Sequence, residues 1–544
     1  MQTYQCKNYY RIKSSLSNIS FKSIISFYFF FNMIFSPIIA QTFHNPIIAG
    51  FYPDPSICRV GDDYYLVTSS FEYFPGIPIF HSKDLVHWKQ IGYCLSRQSQ
   101  LPLHKAAASS GIFAPTIRYS NGIFYVVTTN FAQGGNFYVT ATDPSGQWSE
   151  PIWLNDPGCD PSLFFDDDGT VYYTREDGGE HGSIVQCKID LKTGKLLGAL
   201  HTIWRGTGGI YPEGPHLYKI NGKYYLMIAE GGTEYGHMET IARSNTPWGP
   251  FETDPNNPIL SHKDKPDLSI QATGHADLVE TPDGWWMVHL GIRPKGGRYH
   301  FLGRETFLTK VTWSNDGWPI VEGNEKSEDV MDAPNLIKKT WDADPEKDDF
   351  NESTLALSWN FLRNPYPADY SLTARRGFLR LNGSGVTMND QDSPAFVGQR
   401  QKYFNCRVSS RLEFNPQYDN EEAGLVIRGN DKNHFEIAVT RFDGKRSIIC
   451  RRVLNGKTVE LKYNTIPEGA VVFEIMVSDL EYNFYYLQKN RKAQFLMKAS
   501  TLDLSSEKIG GFTGVYFGIY ATGNGIKCSR PADFDWFEIK KNRN

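Results

Sequence analysis

Apolar and polar residues alternate over short stretches through nearly the whole chain beyond residue 40, and Gly, Asn, Asp and Pro punctuate them. A period of two puts one face of an extended segment in a core and the other in water, so the pattern predicts many short β-strands. One unit recurs five times: a lead residue, an apolar strand, a tight turn and a Tyr- or Trp-rich strand. The copies are Asp54-Pro-Ser-Ile with Asp63-Tyr-Tyr-Leu-Val, Ala114-Pro-Thr-Ile with Ile123-Phe-Tyr-Val-Val, and Asp160-Pro-Ser-Leu with Thr170-Val-Tyr-Tyr. Glu213-Gly-Pro-His-Leu with Lys223-Tyr-Tyr-Leu-Met and His275-Ala-Asp-Leu with Gly284-Trp-Trp-Met-Val complete the set. Between the strands stand Gly61-Asp62, Asn121-Gly122, Asp168-Gly169, Asn221-Gly222 and Asp283-Gly284. Asn-Gly and Asp-Gly predict type I′ hairpins, whose two central residues both need positive φ.

Lead residues fall 60, 46, 53 and 62 positions apart. A repeat near 50 residues built of strands predicts a β-propeller blade, so residues 43–335 read as a five-bladed β-propeller. The register changes after Trp318-Pro319, and an acidic, linker-like stretch runs from Asp342 to Glu352. Residues 345–541 alternate again, as in Gly377-Phe-Leu-Arg-Leu and Val471-Val-Phe-Glu-Ile-Met-Val, without the long repeat. That part reads as an antiparallel β-sandwich, and the fold class is all-β.

The first forty residues follow a different rule. Lys7, Arg11, Lys13 and Lys22 precede an apolar run from Ile24 to Phe35, and Ser36-Pro-Ile-Ile-Ala40 follows it. This is the layout of a signal peptide over residues 1–40, with a hydrophobic stretch shorter than the roughly 20 residues of a membrane span. The expected product is exported, periplasmic or secreted, and free of the membrane once cleaved. The chain carries 56 Lys plus Arg against 60 Asp plus Glu and no basic block, which argues against a nucleic-acid partner. Seven cysteines beyond the leader are widely spaced without a Cys-x-x-Cys pair. They read as buried thiols, neither a zinc site nor a disulfide framework.

In a propeller the first strand of each blade lines the central channel. The lead positions Asp54, Ala114, Asp160, Glu213 and His275 therefore converge on one axis. Crowded carboxylates raise one another's pKa and supply a proton donor beside an acceptor, the equipment for glycoside hydrolysis. Carboxyl groups facing each other across a channel at about 6.5–9.5 Å would leave room for a water and imply inversion. Two other readings compete: a carbohydrate-binding protein on an inactive propeller, and a propeller serving as a protein-interaction platform. The first needs one of the three acids to be missing, and the second predicts no acid cluster at the axis. Asp166-Asp167-Asp168-Gly169 reads as a hairpin turn, not a calcium loop, and His237 and His289 as structural.

Asn45-Pro-Ile-Ile, Tyr52-Pro-Asp-Pro-Ser, Asp160-Pro-Ser-Leu-Phe, Glu213-Gly-Pro-His, Gly274-His-Ala and Leu302-Gly-Arg-Glu-Thr occur in order. Together they resemble glycoside hydrolase family 43, with the C-terminal sandwich of its β-xylosidases and α-L-arabinofuranosidases. The resemblance implies that Asp54 is the general base, Glu213 the general acid, and Asp160 the carboxylate that orients the acid and keeps its pKa raised. It implies that Arg304 binds sugar hydroxyls and that Phe71 and Phe113 wall the pocket. No cofactor is implied for the chemistry; His275 is either a core histidine or a contact to a structural calcium or water cluster in the channel. Phe512 is either sandwich core or a roof over the pocket, which would make the enzyme exo-acting. Phe113 stands where the family commonly has Trp, and the smaller wall favours removal of non-reducing-end α-L-arabinofuranosyl units. β-D-xylosidase or dual activity is the alternative, on hemicellulose-derived oligosaccharides.

Overall fold

A computed structural model describes residues 42–325, 327–332, 338–488 and 492–542, so the expected signal peptide lies outside the described residues. From residue 56 the chain lays down five antiparallel sheets in succession. Each is a meander of four strands in chain order, and the fourth carries Leu260–Ser261 as an extra strand. The leading strands are Ser56–Val60, Thr116–Ser120, Ser162–Phe165, Glu213–Ile220 and Gln271–Thr281. Each touches the leading strands of the sheets before and after it, and the fifth touches the first, so the five form a closed ring. Thr42–His44 pairs with Val330–Asp332, which clasps the start of the ring to its end.

The hairpins follow the expected positions, but their turns divide by residue type. Asn121-Gly122 and Asn221-Gly222 hold both residues at positive φ (51° and 82°; 51° and 79°), as a type I′ turn requires. The Asp-Gly pairs do not. At Asp168-Gly169 only the glycine is left-handed, and Asp168 turns its carboxylate onto the Thr170 amide. At the fifth hairpin Thr281 pairs directly with Gly284, so Pro282-Asp283 makes the turn. The cause is local: the Asp168 carboxylate takes an amide two residues on, whereas Asp443-Gly444 between two sandwich strands does hold both residues at positive φ (50° and 69°).

The second part of the chain forms two antiparallel sheets of eight and six strands. They enclose one apolar core that includes Val408, Ile437, Phe473, Phe484, Phe517 and Phe534. The acidic stretch expected as a linker is already part of this unit at its far end. Lys347–Asp348 pairs with the strand Ala532–Lys541, Phe350 is buried, and Asp348 accepts from the Trp359 indole. Phe361–Leu362 pairs with Tyr73–Phe74, a short strand in the connection between two strands of the first sheet, so strand pairing crosses between the two parts. A buried cluster of Phe51, Phe71, Tyr73, Leu362, Phe396 and Tyr516 backs this seam. Three fully buried arginines cross it: Arg363 donates to the Ala106 carbonyl, Arg428 to the Tyr73 hydroxyl and Arg400 to the Phe51 carbonyl. The seven cysteines after residue 40 are free thiols, five buried and Cys159 and Cys528 partly so.

Candidate active site

The ring brings Asp54, Ala114, Asp160, Glu213 and His275 to the wall of one small pocket. Phe71, Phe113, Thr233, Arg304 and Phe512 line the same pocket. Phe512 comes from the sandwich, on a loop whose Phe512 amide donates to Ser109 Oγ at 2.8 Å. Its ring faces Phe71 at 6.0 Å and Phe113 at 6.4 Å, so it stands at the mouth and not in the sandwich core. Asp54, Phe71, Asp160 and His275 all have φ near 50° (54°, 48°, 49° and 50°). A left-handed conformation costs a residue other than glycine about 1–3 kcal/mol. At these positions it turns side chains off the strand path and into the pocket.

Arg304 Nη1 donates to Asp54 Oδ1 at 2.8 Å and to Thr233 Oγ1 at 2.8 Å. Ser69 donates to the other Asp54 oxygen at 2.5 Å. Asp54 is thus clamped by two donors, with His275 Nδ1 4.0 Å away. Donor atoms of Asp160, Glu213 and His275 lie within 4.8 Å of one another. Burial, then the Asp54 charge, push the Glu213 carboxyl up to about 8 against the pull of Arg304. Burial, then Glu213, Glu176 and Asp54, raise the Asp160 carboxyl well above its ordinary value. Burial lowers His275, which is therefore a neutral imidazole. The pocket holds a carboxylate paired with a guanidinium on one side and a protonated carboxyl on the other, as acid–base cleavage of a glycoside requires.

Residues 43–319 match glycosyl hydrolases family 43, and residues 347–540 match the β-xylosidase C-terminal concanavalin A-like domain. The chain belongs to glycosyl hydrolase family 43. It is 49% identical over 506 residues to a non-reducing end α-L-arabinofuranosidase of Bacteroides ovatus, covering 92% of this chain and 95% of that protein. A xylosidase/arabinosidase of Butyrivibrio fibrisolvens is 43% identical, covering 92% and 99%. Among solved structures, the Bacteroides ovatus xyloglucan-locus family 43 protein superposes with a TM-score of 0.90 at 48% identity, over 92% of this chain and 100% of that one. A xylan β-1,4-xylosidase of Bacillus halodurans gives 0.87 at 37% identity, over 92% and 100%.

Beneath the pocket of this family 43 enzyme lies a second polar layer, set by the two-residue period of the inner strands. Two positions past Asp54 and His275 come Ser56 and Asp277, and a bulge after Glu213 brings in His216. Arg118 spans the channel to them. It donates to both Asp277 oxygens at 2.8 and 3.2 Å and meets His216 Nδ1 at 2.9 Å. Ser56 and Tyr218 also donate to Asp277, at 2.6 Å each. Arg118 and Tyr218 also line a separate 570 Å3 depression, so this layer divides the pocket from it and makes the pocket blind. Calcium takes six to eight oxygen ligands. The trio offers one imidazole nitrogen and two carboxyl groups, above a guanidinium that already neutralises Asp277. These residues do not fit a calcium ion.

Several residues of the site escaped the sequence reading. Ser69, Thr233 and Glu176 stand outside the five-fold repeat, and their only sequence signal is nearness to a lead strand or to Phe71. Arg118 and Asp277 stand inside the repeat but were not singled out either, because their pairing joins the second and fifth sheets. His237 and His289 are buried and neutral, with burial pushing both down to about 3, as structural histidines. Asp166 through Gly169 is a hairpin turn whose Asp166 carboxylate accepts from Lys219 and Tyr224.

Proposed function

We propose that this family 43 enzyme is an exo-acting, inverting α-L-arabinofuranosidase working on hemicellulose-derived oligosaccharides. In this reading residues 43–335 are a five-bladed β-propeller carrying the chemistry, and residues 345–541 a β-sandwich that roofs the pocket. The observation that carries it is the blind pocket with Asp54 clamped by Arg304 on one side and the proton-holding Glu213 on the other. One sugar ring fills such a pocket, so the scissile bond lies at its mouth and cleavage releases one terminal unit. The Asp54 carboxylate takes a proton from a water, whose oxygen attacks the anomeric carbon. The bond from that carbon to the glycosidic oxygen breaks, and Glu213 gives that oxygen its proton. Asp160 orients Glu213, Arg304 holds sugar hydroxyls beside the base, and Phe71, Phe113 and Phe512 enclose the ring. No metal enters the reaction. Arabinose is favoured by the activity of the Bacteroides relative and by Phe113, whose ring admits a furanose with its exocyclic hydroxymethyl group. The chain is taken to be exported by its leader and to act in the periplasm or outside the cell.

Asp54→Asn should remove activity on every substrate. Glu213→Gln should cut turnover of natural glycosides by about 10²–10⁴-fold and spare nitrophenyl glycosides, whose leaving group needs little protonation. Proton NMR of the first product should show the anomer opposite to the substrate's; retention would rule out the Asp54 role. A β-D-xylosidase is the second reading, favoured by the xylosidase relatives. It prevails if kcat/KM for aryl β-D-xyloside exceeds that for aryl α-L-arabinofuranoside and Phe113→Trp leaves the ratio unmoved.

A further inference from the structure

A pocket that holds one ring leaves the other half of the substrate outside it. The departing sugar must lie across the rim, and the rim carries an aromatic side chain that the chemistry does not use. Phe131 is 63% exposed, among the most solvent-open large apolar side chains of the described residues. Its ring lies face to face with Phe113 of the pocket wall, 4.8 Å between centroids and 8° from parallel. One face of the Phe131 ring is therefore covered by the wall, and the opposite face is presented to solvent.

The loop that carries it is built to stay put. The Phe131 amide donates to the Gly111 carbonyl at 2.7 Å, tying it to the segment that leads into Phe113. Asn130 accepts from the Ala132 and Gln133 amides and donates to the Pro102 carbonyl. Gln133 in turn donates to the His104 carbonyl. A phenylalanine held this firmly in water forgoes the burial that stabilises the other rings of the cluster. Such a rigid, open aromatic face, continuous with the pocket wall, suits the C–H face of a neutral sugar ring.

We propose that Phe131 is the platform for the leaving-group sugar, a neutral pyranose of the oligosaccharide chain, stacking on its open face and setting the preference for what the terminal unit is attached to. The proposal rests on the exo reading but not on the identity of the terminal sugar. It is tested with paired substrates that share one glycone, whichever the enzyme cleaves: a natural oligosaccharide, whose leaving group is a ring, and the methyl glycoside, whose leaving group is not. Phe131→Ala should lower kcat/KM for the oligosaccharide about tenfold, mostly through KM, and change that for the methyl glycoside less than twofold. Phe131→Tyr, which keeps a ring, should restore the oligosaccharide value. Equal losses on both substrates would overturn the proposal, since Phe131 would then merely buttress Phe113. No loss on either would overturn it as well. A preference for xyloside over arabinoside would change the glycone used and leave this comparison intact.

Discussion

Four of the residues that shape the pocket are held at positive φ, and hydrogen bonds from other segments fix Phe71 and Asp54 among them. The clearest is Phe71, whose backbone amide and carbonyl both pair with Ile112. Strain at one residue is thereby offset by hydrogen bonds along the segment, and the side chain stays where catalysis needs it. The proton on Glu213 is set in the same local way. Burial comes first, and Asp54 and Glu176 add their charge. Glu176 sits behind Asp160, and the neighbouring Cys159 thiol donates to it at 2.7 Å. With Glu213 as the proposed acid, kcat/KM should fall as the pH rises through about 8. Glu176→Gln removes a negative charge that favours the protonated form, so the alkaline limb should move to lower pH. At pH 8.5 kcat/KM should drop about threefold relative to wild type, with no change at pH 6. An unmoved limb would show that Glu176 does not reach the acid electrostatically.

At the scale of elements, hairpins made the fold readable and loops made the site. All five hairpins occur where alternation and turn residues predict them, because period and turn chemistry are local properties of the chain. Their turn types were less legible, since the Asp168 carboxylate takes the Thr170 amide and the fifth hairpin turns on Pro282-Asp283. For the sandwich loop carrying Phe512 the resemblance left two readings open, sandwich core or pocket roof, and the structure places it at the mouth. It reaches the pocket because glycines pack back to back: a Cβ on Gly514 would stand 2.3 Å from the Leu302 carbonyl oxygen, and one on Gly303 would stand 2.9 Å from Gly514 Cα. Leu302 and Gly303 lead directly into Arg304, so this contact sets the roof and the arginine together. Gly514→Ala should push the loop off the Leu302–Gly303 segment and lower kcat/KM about tenfold or more, chiefly by raising KM. A KM within twofold of wild type would show that the loop's position does not govern substrate closure.

At the scale of the whole molecule, closing the ring puts five strand starts on one axis, and that single act creates both the acid cluster and the polar layer beneath it. Arg118 supplies the positive charge of that layer from within the chain, bridging Asp277 and His216. Prolonged treatment with EDTA should therefore leave kcat/KM within twofold of the untreated value; a larger loss, restored by calcium, would show a metal in the channel. The sequence by itself determined the strands, the five-fold repeat, the lead residues Asp54, Asp160, Glu213 and His275, and the resemblance to family 43. Each of these is carried by the local pattern or by motifs a few residues long. Only the tertiary structure decided that Arg304 clamps Asp54 across 250 residues, that Phe512 leaves the sandwich for the pocket mouth, and that Arg118 closes the channel floor. Those contacts join segments far apart in the chain, and no periodicity records them. They exist because ring closure and the buried seam through Tyr73, Phe361 and Arg428 bring the segments together.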